Sequence, residues 1–93
     1  MKILAVCGTG LGSSFMVEMN IKSILKELGA ERVEVEHSDL GAATPGAADI
    51  FIAGRDIAMA MKHLDHVVEL NNLLDKKELK EKISAVLKER NII

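Results

Sequence analysis

The stretch Ile3-Leu4-Ala5-Val6-Cys7-Gly8-Thr9-Gly10-Leu11-Gly12-Ser13-Ser14 decides how the rest of the chain is read. Its first four residues are apolar without interruption. That run is too short for a helix and too apolar for a strand with one wet face, so it reads as a fully buried strand. The glycines at 8, 10 and 12 then permit positive φ and close backbone approach. An amphipathic stretch begins near Phe15. A loop in this setting turns N–H groups inward as an anion nest, and the helix N-terminus behind it adds a partial positive charge. The single cysteine of the chain, Cys7, stands at the mouth of that nest.

Downstream, Val17, Ile21, Ile24, Leu25 and Leu28 recur at helical spacing, with Lys22, Lys26 and Glu27 on the other side. The spacing predicts a helix from about Ser14 to Leu28, capped by Ser13 or Ser14 and ended by Gly29. Arg32–His37 alternates Val33 and Val35 with Glu34 and Glu36, the period of a strand with one face in water. Its charges suit an unpaired edge. Ser38–Ala48 carries Gly41, Pro45 and Gly46 among small residues and reads as a loop with one helical turn. Asp49–Ala53 is a second buried strand that Gly54 ends. Ile57, Ala60, Met61 and Leu64 outline a short helix, and His66–Leu70 a fourth strand. Asp75-x-x-Glu78 opens a closing helix striped by Leu79, Ile83, Val86 and Leu87.

The resulting order is β-α-β-loop-β-α-β-α. Such alternation implies a parallel sheet with right-handed crossovers. The expected fold is α/β: a three-layer, open, parallel four-stranded sheet in the order 2-1-3-4 with helices on both faces. This is a Rossmann-like arrangement, similar to that of the low-molecular-weight phosphatases. The chain direction then reverses between strands 1 and 3, and ligands bind at the carboxyl ends of the strands flanking such a switch point. Cys7 is the first residue beyond strand 1. Topology and loop chemistry therefore point to one place by separate arguments.

Composition narrows the function classes. With 93 residues the chain is expected to form one domain, 1–93, around one core. Only two residues are aromatic, so that core is aliphatic. A net charge of -2, with no basic stripe, gives no footprint for nucleic acid. No apolar run approaches the roughly 20 residues that span a bilayer, and the start reads as a strand rather than a signal peptide. A lone cysteine forms no internal disulfide and fits a reducing, cytoplasmic setting. No cofactor and no metal site is expected.

A thiol at a helix N-terminus among converging amides favours its thiolate. If the sulfur is phosphorylated, the group carries roughly two negative charges. The amides of Gly8 to Ser13 and the hydroxyls of Thr9, Ser13 and Ser14 are the expected donors. Thiol phosphatases share the loop length, C-x5-R-[S/T], but Ser13 stands where their arginine would be. That arginine clamps the equatorial oxygens when an ester is attacked. Without it, a high-energy donor such as a phosphohistidine is the better substrate, and the cysteine passes the group on to a hydroxyl. A Walker loop is excluded because no G-K-[S/T] follows. G-x-G-x-x-G fails too, with Ser13 in place of the third glycine.

The run C-G-T-G-L-G-S-S-F-M-V-E-M-N-I-K, after a K-I-L-A-V strand, resembles the enzyme IIB components of the bacterial sugar phosphotransferase system, above all the ascorbate type. Galactitol, mannitol and lactose types are more distant. The likeness covers the whole chain, including E-V-E-H-S-D-L and A-D-I-F-I-A-G. It implies a phosphocysteine intermediate at Cys7. A IIA component donates from phosphohistidine, and a membrane IIC component presents the imported sugar. Gly8, Thr9, Gly10, Leu11, Gly12, Ser13 and Ser14 would form the phosphate cradle, and ascorbate would be the sugar. The alternative is a small cysteine-dependent phosphatase or arsenate-reductase-like enzyme. A redox-sensing domain is a third reading, weakened by the absence of a resolving cysteine.

Around the loop, Phe15, Met16 and Met19 read either as ordinary core and surface or as a soft apolar rim that docks both partners. His37, Ser38 and Asp39 lie past strand 2 at the active end and read first as solvated loop residues. Arg55, at the same end, either biases the field toward anions or pairs with a carboxylate. His63 and His66, near the opposite end, read as structural.

Overall fold

A computed structural model describes residues 1–6, 13–64, 66–71 and 75–93, except for the side chains of Ser13 and Ser14. In chain order the elements are β1 (Lys2–Val6), α1 (Ser13–Glu27), β2 (Glu34–Ser38), β3 (Ile50–Gly54), α2 (Arg55–Met59), β4 (Val67–Leu70) and α3 (Lys76–Glu89). A single 3-10 turn, Leu40–Ala42, follows β2. The four strands form one sheet in the order β2-β1-β3-β4, and every pairing is parallel. The expected architecture is the observed one.

Alternate strand residues supply the two faces of the sheet. Ile3, Ala5, Ile50 and Ile52 point to one side and pack with Ile21, Ile24 and Leu25 of α1 and Leu79, Ile83 and Leu87 of α3. Leu4, Val6, Phe51 and Ala53 point to the other and pack with Ala43, Met61 and Leu64. Both central strands are buried on both faces, which is why their sequences run apolar without alternation. The core is aliphatic apart from Phe51, while the other phenylalanine, Phe15, is 51% exposed.

Several boundaries differ from the sequence reading. α1 begins at Ser13 rather than Ser14, so both serines lie in its first turn; the capping role expected of one of them falls on side chains outside the described residues. β2 runs on to Ser38 because the ladder with β1 continues: Ala5 faces His37 and Val6 faces Ser38. His37 and Ser38 are thus strand residues, and the loop starts only at Asp39. α2 is shorter than its apolar spacing suggested. It stops at Met59, Ala60 is exposed, and Met61 and Leu64 reach the core from the turns that follow.

The helix ends follow their local chemistry. At Gly29, with φ +73, the Ala30 amide donates to the Leu25 carbonyl (2.8 Å) and the Gly29 amide to Lys26 (3.2 Å). This is a Schellman stop built on a left-handed residue. Asp75 caps α3, its Oδ1 accepting from the Lys77 amide at 3.0 Å and from Glu78 at 3.3 Å. Asp75→Ala is expected to cost about 1 kcal/mol, whereas Asp75→Asn leaves stability nearly unchanged. Thermal unfolding checks this: an alanine variant as stable as the parent would mean that α3 is held by its buried stripe alone.

Candidate functional site

The sheet fixes where the glycine-rich segment is attached. β1 is a central strand, with Val6 held between Ser38 of β2 and Ala53 of β3. The chain leaves β1 for α1 on one face of the sheet and leaves β3 for α2 on the other. The carboxyl ends of β1 and β3 therefore flank a switch point, where an open α/β sheet has its binding crevice. Cys7 and Gly8, Thr9, Gly10, Leu11 and Gly12 lie outside the described residues. So do the side chains of Ser13 and Ser14, whose backbone forms the start of α1. The described elements give the frame of the site: the end of β1, the start of α1, the end of β2, and Gly54–Arg55 after β3.

Within that frame α1 presents Phe15, Met16 and Met19, each more than half exposed. Burial in the core is excluded, and both ordinary surface and a docking rim fit this exposure. The apolar stripe that seats the helix starts only at Val17.

His37 is not a free loop residue. Its Nδ1 lies 3.2 Å from Oε1 of Glu18, and its ring meets Phe15 edge-on, with centroids 5.8 Å apart. Glu18 is 9% exposed, the one buried charged residue among those described, and Lys22 adds a second contact at 3.6 Å. A carboxylate taken out of water needs partners of this kind. Sequence reasoning missed Glu18 entirely. Its position one residue past Val17 was the available signal, since it borders the buried stripe.

Asp39 is spent on structure. Its Oδ1 accepts from the Ala42 amide at 3.3 Å and caps the 3-10 turn. Arg55 is exposed at the first residue of α2 and has no ion pair with a described residue. The carboxylate-pairing reading therefore has no partner among the described residues, and Arg55 is exposed just past the carboxyl end of β3. His63 and His66 sit at the amino end of the sheet, as expected. His66 has φ 58, and its carbonyl accepts from the Phe51 amide at 3.1 Å. Concavities of about 490 and 270 Å³ open at that end, lined in part by His66 and Arg90. They lie at the opposite end of the sheet from Val6 and the start of α1.

No helix among the described residues is long and apolar enough to cross a membrane. Comparison with known proteins converges on one group. Residues 2–85 match the family described as the lactose/cellobiose-specific IIB subunit of the PTS system. A curated relative from Mycoplasma pneumoniae, the ascorbate-specific PTS system EIIB component, is 33% identical over 90 residues, which is 91% of this chain and 93% of the relative. The match takes in the central strand, the glycine-rich segment after it and most of the closing helix, so the chain belongs to the IIB subunit family of the phosphotransferase system.

Proposed function

We propose that this chain is the phosphoryl carrier between the IIA and IIC components of a sugar phosphotransferase system, with Cys7 as the acceptor. The Cys7 thiolate attacks the phosphorus of a IIA phosphohistidine. An S–P bond forms, the N–P bond breaks, and the imidazole nitrogen keeps the electron pair. A sugar hydroxyl held by the membrane IIC component then attacks the same phosphorus. Its proton passes to a base, the S–P bond breaks, and the thiolate is restored. Gly8, Thr9, Gly10, Leu11, Gly12, Ser13 and Ser14 cradle the phosphoryl oxygens through amides and hydroxyls. The exposed Phe15, Met16 and Met19 form the apolar rim on which the two partners dock in turn. L-ascorbate is the proposed sugar, because the Mycoplasma relative bears that specificity in its name. The carrier works on the cytoplasmic side of the membrane.

The observation that carries this reading is positional. The only cysteine of the chain directly follows Val6 in sequence, and Val6 ends a central strand whose carboxyl end flanks the switch point of an open parallel sheet. Neither phosphoryl step needs the clamp that ester hydrolysis demands, since the donor bond is already high in energy. Incubation with phosphoenolpyruvate, the general phosphotransferase proteins and the cognate IIA is expected to add a single phosphate of about 80 Da by intact mass. The bond should be cleaved by iodine, as a thiophosphate is. An unshifted mass under these conditions overturns the proposal.

A further inference from the structure

The contact between Glu18, His37 and Phe15 lies outside both core clusters, near the amino end of α1. The buried stripe of that helix runs Val17, Ile21, Ile24 and Leu25. Ahead of Val17, Phe15 and Met16 are both more than half exposed, so the buried stripe stops short of the first turn. The other anchor of segment 7–12, Val6, is fixed by pairing on both sides. At its other end the chain enters α1 one turn ahead of Val17, the first buried residue of that helix among those described. Besides the buried Val17, the first turns of α1 meet the sheet through His37, which stands opposite Ala5 near the carboxyl end of β2. Its Nδ1 reaches Glu18 and its ring abuts Phe15, so one side chain contacts both of the first two turns.

We infer that His37 is a positioning residue for phosphoryl transfer, holding the first turns of α1 against the carboxyl end of β2 through Glu18 and Phe15. The inference rests on the phosphocysteine reading above and adds to it a residue outside the glycine-rich segment. Its physical content is alignment: amides and helix N-terminus are useful to a transferring phosphoryl group only at hydrogen-bond distance. A displacement of about 1 Å is enough to cost a hundredfold in rate.

The working atom can be tested. An asparagine amide reaches the place of Nδ1, whereas a glutamine amide reaches the place of Nε2. Transfer from phosphorylated IIA is measured at a temperature where every variant is folded. His37→Ala is expected to lower the maximal rate about tenfold, with the half-saturating IIA concentration changed less than about twofold. His37→Asn restores most of the rate and His37→Gln does not. Glu18→Ala matches His37→Ala, and the double variant is no slower than either single one, the non-additivity of residues acting as a unit. Amide exchange at Phe15 to Met19 quickens in the alanine variants and recovers in His37→Asn. The inference is overturned if His37→Ala leaves rate and exchange unchanged. It is equally overturned if glutamine rescues and asparagine does not, which would make Nε2 the working atom, or if only the half-saturating concentration rises, which would make His37 a docking contact. A parent chain that takes no phosphate fails the carrier reading before any variant is compared.

Discussion

Cys7→Ser is expected to abolish phosphorylation while leaving the fold intact. The exchange replaces one sulfur by one oxygen and adds no bulk. The neighbouring Val6 stays buried in the ladder, held by β2 and β3 whatever follows it. The chemistry changes far more. A thiol is a few per cent thiolate at neutral pH even when unperturbed, and a helix N-terminus raises that share; a serine hydroxyl stays protonated and is a weak nucleophile. An alkoxide is also the poorer leaving group for the second transfer. The gain of about 80 Da should therefore vanish, and any residual transfer should fall at least about a thousandfold, roughly 4 kcal/mol in barrier. Intact mass and circular dichroism on the same sample check both halves. Phosphate retained by a folded serine variant would move the acceptor elsewhere, and acid lability would then point to a histidine.

Ile52→Ala is expected to have the largest effect on stability. Ile52 lies at the middle of β3, fully buried, with Ala5 of β1 on one side and Val68 of β4 on the other. It belongs to the cluster that joins the sheet to α1 and α3, a cluster without aromatic residues to shift into a void. Removing three carbons there costs about 3–4 kcal/mol through lost transfer energy and a residual cavity. For a domain near 100 residues, this lowers the melting temperature by roughly 12–24 °C. Thermal and urea unfolding measure it. Loss below about 1 kcal/mol would mean that the two helices close over the gap, a collapse that well-packed cores rarely allow.

Much of this protein was legible in one dimension. Uninterrupted apolar runs at Ile3–Val6 and Ile50–Ala53 identify strands with no wet face, and such strands must be central in a sheet covered on both sides. The alternation Val33-Glu34-Val35-Glu36 identifies a strand with one wet face, which belongs at an edge. Together these readings give the order 2-1-3-4 that the sheet adopts. Asp75 and Gly29 mark helix ends by chemistry acting over two to five residues. All of these are statements about local burial or local hydrogen bonding, and a sequence carries both.

Other features depended on which residues the register brings together. Glu18 reads as one more charge on an amphipathic helix, and His37 as the tail of a charged strand. Nothing within a few residues of either announces the other. They meet because α1 crosses back over β1 and β2 pairs in register, setting His37 opposite Ala5 on the face that α1 covers. The length of β2 is likewise decided by pairing: Ser38 is a strand residue because Val6 lies beside it. Asp39, a solvated loop residue by its sequence, proves to be a cap once the turn to Ala42 exists. The sequence by itself determined the layers, the strand order and where the chain leaves the central strand β1 for α1, since hydrophobic periodicity reports burial. Only the tertiary structure decided which polar side chains steady the helix beside that place, since such contacts exist only after distant segments have been set in register.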